Sequence, residues 1–283
     1  MTGAGRGIGR EIALCLAQQG ASVVVNDVGV SMDGRGSDED PAAQTCKDIE
    51  AAGGRAVPSY DSVSDFAAAG GITQTAVDTF GRIDILVNNA GILRDRTLVK
   101  MSEDDFDAVV GVHLKGTFNC TRHAAELMRD AGYGRIVNIT SSAGLRGNFG
   151  QTNYGAAKAG IAAFTIICGL ELGRYNVMAN AIAPVARTRM TENLGFGGAP
   201  EGGAWDALDP ANISPLVVWL GSNDNDDVSG RVFLVDGDRI SVAEGWRRGP
   251  TARNDKMRWE PSQLTKIIPD LVAKAETPSN MAS

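Results

Sequence analysis

Three residues have the types and spacing for moving a proton at a carbon-bound oxygen. Tyr154 and Lys158 lie four residues apart in "NYGAAKAG", so a helix places them on one face. Ser141 sits near the end of the preceding run "GRIVNITSS". An unperturbed phenol ionises near pH ~10, too high for a base at neutral pH. A nearby ammonium and a cationic nicotinamide both favour the phenolate, and bringing it near neutrality takes about 4 kcal/mol. Lys158 is therefore expected to lower the Tyr154 pKa and to hold the nicotinamide ribose. Ser141 is expected to orient the substrate oxygen, and Tyr154 to act as general acid and base. The redox step itself would belong to the cofactor.

The cofactor expectation comes from the opening stretch "MTGAGRGIGRE". Gly3, Gly7 and Gly9 allow a tight turn and close backbone approach to a pyrophosphate, with Arg6 and Ile8 in the same loop. The helix that follows offers free N–H groups and the positive end of its dipole. About 20 residues on, Asp27 ends a β-branched run, where a carboxylate accepts from both ribose hydroxyls of an adenosine. Its charge repels a 2′-phosphate, so NAD is favoured over NADP.

Elements that position these groups alternate along the chain. Helical patterns such as "REIALCLAQQG" and "PAAQTCKDIEAAGG" separate short apolar runs such as "ASVVVND", "IDILVNNAG" and "VMANAIAP". The stretch "MSEDDFDAVVGVHLKGTFNCTRHAAELMRD" reads as one long helix capped by Ser102. Strand–helix alternation implies an α/β, doubly wound parallel sheet (Rossmann) in a single domain spanning 1–240. Residues 241–283 form a C-terminal extension, expected to pack on the domain or on a neighbouring subunit. A glycine loop of this kind normally follows a buried central strand, yet only Met1 precedes it. The reading is therefore that the natural polypeptide begins several residues earlier.

Composition narrows the functional classes. Hydrophobic residues make up 43% and charged residues 22%, ordinary for a globular enzyme. A net charge of −7 gives no basic footprint for nucleic acid, and no apolar run approaches the roughly 20 residues that cross a bilayer. Four cysteines without a CxxC pair suggest neither zinc nor a disulfide framework, and a cytoplasmic setting is expected. The carboxylates of "SEDDFD" read as a helix start rather than a metal site.

Taken together these segments resemble the short-chain dehydrogenase/reductase family. The resemblance rests on TGxxxGIG at Thr2 to Gly9, "NNAG" at Asn88 to Gly91, YxxxK at Tyr154 to Lys158, and "APVARTRM" at Ala183 to Met190. It implies that Asp61 and Ser62 border the adenine, that Asn88 and Ala90 line the cofactor, and that Thr188 approaches the carboxamide. It also implies assembly through the long helices into a homodimer or homotetramer. "VVVNDVG", "VHLKGTF" and "GNFGQTNY" are most similar to the hydroxyacyl-CoA dehydrogenase part of peroxisomal multifunctional enzymes and to bacterial single-domain relatives. The substrate implied is a 3-hydroxyacyl thioester. A steroid-like or cyclic alcohol, or a non-catalytic dinucleotide-binding module, is the alternative. His113 stands where most relatives carry an Asn, and two roles stay open for it: hydrogen-bonded packing, or a part in proton transfer. The glycine-rich stretch 191–210 is expected to form a mobile lid.

Overall fold

The opening loop runs straight into α1 (Gly7–Gln18), which ends at Gly20, a residue with φ +91° suited to the left-handed position after a helix. A computed structural model describes residues 1–36, 40–188, 198–200, 202 and 204–275. Of the expected lid, residues 191–197, 201 and 203 lie outside those residues. β1 (Ser22–Asn26) pairs in parallel with β2 (Arg55–Ser59), and α2 (Asp40–Ala51) connects them. A second sheet carries β3 (Ile85–Asn88), β4 (Gly134–Ile139), β5 (Val177–Val185) and β6 (Val232–Asp236), all parallel.

Met1 and Thr2 lie between the two sheets. Asn26 N donates to Met1 O, Thr2 N to Val87 O and Ala4 N to Asn26 O, each at 3.0 Å. Thr2 also forms an isolated parallel bridge with Asn26. β1 and β3 do not pair with each other, so this short stretch of backbone holds the place of a central strand between them.

Side-chain alternation sorts the helices into two layers. Val23, Val25, Val87, Val137 and Ile182 point to one face, where α1, α2 and α8 (Ser214–Gly221) cover them. Val24, Leu86, Ile136 and Ala179 point to the other face, against α3 (Phe66–Phe80), α5 (Gly116–Ala131) and α7 (Thr152–Leu172). A sheet buried on both faces by crossover helices is the doubly wound arrangement expected from the sequence.

Three details depart from expectation. The single long helix is α4 (Glu103–Val110) and α5, joined by a π-helical turn at Gly111–Lys115. Ser102 does cap its start, in a reciprocal capping box with Asp105. β7 (Arg239–Val242) adds an antiparallel edge strand beside β6 and runs across the expected 240/241 boundary. In the extension, α9 (Pro261–Lys274) has no fully buried residue. Finally, the apolar segment 152–175 does reach membrane-spanning length and hydropathy, at 24 residues and a mean hydropathy of 1.5. Its inner face, however, carries Asn153, Lys158 and Thr165 among its buried residues and packs on the sheet.

α6 (Ser142–Arg146), a single short helix after β4, stands directly on α7. A Cβ built on Gly144 would lie 2.5 Å from Ala159 N and 2.6 Å from the Lys158 carbonyl carbon. Both are backbone atoms in a helix and cannot swing aside. Gly144→Ala is expected to push α6 off α7 and to destabilise the protein by about 1–3 kcal/mol, the usual cost of overpacking. The midpoint of urea unfolding measures it.

Candidate active site

The carboxyl ends of the parallel strands converge on a cavity of about 450 Å³. At one end lies the glycine loop. Gly3 and Gly7 hold φ of +61° and +54°, the left-handed region that glycine enters without strain. A Cβ on Gly9 would lie 2.0 Å from Gly3 O, so only glycine lets the helix start this close to the turn. Among the described residues no side chain caps α1, and its first turn carries no acid. The N–H groups there are left for an anion.

Asp27 stands beside that loop with both carboxylate oxygens fixed by backbone. Gly5 N donates to one at 2.9 Å and Gly29 N to the other at 2.7 Å. A Cβ on Gly5 would come within 2.8 Å of that carboxylate. The cradle thus admits hydroxyls, which can donate to the remaining lone pairs, and its charge opposes a phosphate. Asp61 and Ser62 line the same end, as do Arg6 and Ile8.

The other end carries the acid–base group. Lys158 is 3% exposed, and its ammonium donates to Ile139 O at 2.6 Å. Thr140 Oγ1 donates to Lys158 O at 2.7 Å, tying the end of β4 to α7. The Lys158 ammonium nitrogen stands 5.5 Å from the centre of the Tyr154 ring. The His113 ring meets Tyr154 edge-on, with centres 5.1 Å apart. Ser141 hydrogen-bonds the phenol and also N-caps α6 by accepting from Ala143 N at 3.2 Å. Ala90 and Thr188 border the same space.

Burial dominates the protonation states. It pulls the Lys158 ammonium down to about 7 and pushes the Tyr154 phenol up to about 12, against the opposing hydrogen bond from Ser141. The expectation that Lys158 lowers the phenol pKa is therefore not met in the free protein. An amine titrating near 7 carries only part of a charge at neutral pH, and desolvation of the phenol outweighs it. Burial and the neighbouring Lys158 charge together depress His113 to about 3. Its imidazole is neutral over the physiological range. Nε2 is bonded to the Ile92 backbone, 2.8 Å from O and 3.1 Å from N, while Nδ1 is buried without a partner. Of its two open roles, the geometry fits hydrogen-bonded positioning.

One expected cofactor residue is misplaced. Asn88 points below the cleft, not into it: its amide donates to Thr121 Oγ1 at 3.0 Å and to Asn138 Oδ1 at 2.8 Å. Asn89 takes the lining position and braces the glycine loop, donating to Thr2 O at 3.2 Å and Gly3 O at 2.9 Å. Adjacent asparagines on a strand point to opposite faces, and composition alone does not say which faces the ligand. Also missed was Gln151, which lines the cleft and links Asn148 to Asp95 through its amide. The remaining expected residues all border the cavity.

A glycine loop at a helix start, a carboxylate held by two backbone N–H groups and a phenol–amine pair thus line one cleft. The family profile for short chain dehydrogenase matches residues 1–196. A hydroxyacyl-CoA dehydrogenase of Mycobacterium tuberculosis, ChsB1, is 42% identical over 96% of this chain and 87% of its own length. The peroxisomal multifunctional enzyme type 2 of Drosophila melanogaster is 45% identical over 87% of this chain, which spans 38% of that enzyme. The crystal structure of a short chain dehydrogenase from Mycobacterium avium superposes with a TM-score of 0.86 at 49% identity, covering 98% of this chain and 95% of that one. The chain belongs to the short-chain dehydrogenase family and is an oxidoreductase acting on CH–OH groups. That family binds NAD(P) cofactors, and the loop and cradle described above fit such a group.

The buried amine has a consequence for stability. Unfolded, Lys158 titrates near its ordinary 10.5; folded, it titrates near 7. Between those values the unfolded chain holds the extra proton, so stability rises with pH across the window and the penalty is complete below it. Lys158→Met is expected to flatten that rise and to unfold at higher urea than the parent at pH 7, despite its loss of activity. Urea titrations at neutral and alkaline pH measure both effects.

Proposed function

We propose that the protein interconverts a secondary alcohol and a ketone with NAD, and that the substrate is a 3-hydroxyacyl thioester. The observation that carries this reading is the placement of Tyr154, Lys158 and Ser141 in the cleft that also holds the Asp27 cradle. A nicotinamide held in the cleft would supply the hydride exchange with the substrate carbon. Ser141 and Tyr154 hold the substrate oxygen between two hydroxyls. With the phenol near 12, Tyr154 rests as an acid, ready to give its proton to a ketone oxygen as that oxygen gains charge. In the oxidative direction the phenol must first ionise. The positive charge of an oxidised nicotinamide in the cleft would oppose the desolvation that holds the proton on. Lys158 is placed to hold the nicotinamide ribose from its anchor on Ile139 O, and His113 fixes the floor beneath Tyr154.

The Asp27 cradle supports NAD over NADP, since a 2′-phosphate there would meet a carboxylate already oriented by two backbone N–H groups. The thioester is supported by the relatives named for hydroxyacyl-CoA chemistry. The decisive assay follows reduced nicotinamide absorbance with NAD or NADP against 3-hydroxyacyl-CoA and cyclic alcohols. Turnover with NAD and the thioester is expected, and Tyr154→Phe is expected to lower kcat about 10²–10⁴-fold while NADH still binds. Full turnover by that variant would overturn the acid–base assignment, and a preference for cyclic alcohols would replace the thioester.

We further propose that a second copy of the chain covers the outer faces of α5 and α7. Phe118, Leu127, Ile167 and Leu170 are exposed there, Leu170 to 79%, around a groove lined by Phe164 and Tyr175. Exposed apolar surface in this concentration marks an interface. Leu170→Asp is expected to halve the mass of the particle in light scattering and to leave circular dichroism unchanged.

A further inference from the structure

Between β1 and α2 the chain takes a detour that neither the glycine loop nor the acid–base group explains. From Asp27 it crosses to the segment that follows β3. Leu93 N donates to Met32 O at 2.8 Å, and Arg94 Nε donates to Asp33 O at 2.8 Å. The tip of the detour is a tight turn of its own. Gly34 N donates to Ser31 O at 3.0 Å, Ser31 N to Arg35 O at 2.9 Å, and Ser31 Oγ to the Asp33 carboxylate at 2.6 Å. Gly34 sits at φ +84°, and a Cβ there would lie 2.9 Å from Ile92 Cδ1. The turn is thus pressed against Ile92, the residue whose backbone holds His113.

Arg94 is anchored from the far side. Its guanidinium also donates to Asp104 O at 3.2 Å and to the Asp104 carboxylate at 2.6 Å. Its own carbonyl accepts from Asn153 Nδ2 at 3.0 Å, the residue beside Tyr154. The side chain is only 14% exposed. A planar fork that meets two carbonyls and a carboxylate at once is a geometry lysine cannot reproduce. At its root the detour is tied to the Asp27 cradle through Gly29 N. Val28, Val30 and Met32 on this side, and Ile92 and Leu93 on the other, all line the cleft.

We propose that residues 27–36 are a strap that closes over the bound dinucleotide, with Arg94 as the positioning residue that latches it. The proposal rests on the dinucleotide reading of the cleft. The ends of the latch are backbone carbonyls on one lip and groups of the other lip, so a dinucleotide lying between the lips is held while the bonds persist. Its release requires the Met32–Leu93 and Asp33–Arg94 bonds to part. One latch thereby couples the adenosine end, through Asp27, to the acid–base end, through Ile92 and Asn153. Arg35 marks the state of the strap, because its side chain is 78% exposed and offers a tryptic site at the tip.

The test compares the full-length protein with Arg94→Ala and Arg94→Lys by two readouts that need no turnover. In stopped-flow fluorescence, NADH is expected to leave Arg94→Ala at least about tenfold faster, in keeping with loss of a charge-assisted hydrogen bond, with Arg94→Lys rescuing only part. In limited proteolysis, NADH is expected to slow cleavage after Arg35 in the parent and to give Arg94→Ala no such protection. Gly34→Ala, which adds a methyl against Ile92 without touching the guanidinium, is expected to speed release in the same sense and serves if Arg94→Ala does not fold. A merely structural Arg94 would lower the melting temperature while leaving NADH release and the Arg35 cut as in the parent, and that result overturns the strap alone. Failure of the parent chain to bind NADH overturns the dinucleotide reading and the strap with it.

Discussion

A single amine held out of water is the constraint on which the rest of the cleft depends. Moving an ammonium into a protein interior is costly unless oxygen atoms replace its hydration. Here the end of β4 supplies one such oxygen, Ile139 O, and burial still pulls the Lys158 ammonium down to about 7. The surroundings are arranged to keep the amine in place despite that cost. Thr140 clamps the Lys158 backbone, and α6 rests on α7 at Gly144 with no room for a methyl group. The same contact fixes Ser141, the N-cap of α6, relative to Lys158. Stability is thus traded for a preorganised site, as is common where charge must be ready before the ligand arrives.

Beneath the cleft runs a second, polar layer that accounts for its rigidity. Asn88 donates to Asn138, Asn138 to Thr165 Oγ1, and Thr165 Oγ1 to Ile161 O. These bonds stitch β3 to β4 and β4 to α7 at the level where the strands end. Asn119 reaches from α5 to Val63 O, and Asn26 from β1 to Asp61 O, so two further loops of the cleft are held by side-chain amides. Such a network satisfies most of the buried groups, and one half-made would cost more than an apolar core. It also explains why so many polar residues are buried among helices that otherwise present alanine, valine and isoleucine to the sheet.

Much of this was legible in the sequence because periodicity and turn chemistry agree with the fold. Tyr154 and Lys158 need only a helix to share a face, and "NYGAAKAGIAAF" is helical by pattern. Gly20 needed only its place after α1, and Ser102 its place before a run of acids. What escaped depends on partners far along the chain. Asn88 and Asn89 differ only in which face of the sheet they meet. The π-helical turn at Gly111–Lys115, which carries His113, has no compositional mark. The crossing of residues 27–36 to Leu93 and Arg94 is a contact between loops, and loop-to-loop pairing leaves no period to read. β7 is short and exposed on both faces, so neither alternation nor an apolar run announces it.

The electrostatics also constrain how the cleft can work. Burial pushes the Tyr154 phenol up to about 12, so its proton stays on oxygen at neutral pH in the free protein. His113 cannot assist by titrating, because it stays neutral well below neutral pH, and Asp95 raises the phenol further. Positive charge added at the open side of the cleft would lower the phenol without rebuilding these residues. An oxidised nicotinamide has that charge and a reduced one does not. The base would then be strong in the free site and tamed only by the ligand it serves, which ties the protonation state of Tyr154 to the redox state of whatever lies beside it. A surface tyrosine next to a fully charged lysine would lack that dependence. The burial that makes Lys158 costly is therefore what makes the acid–base group responsive.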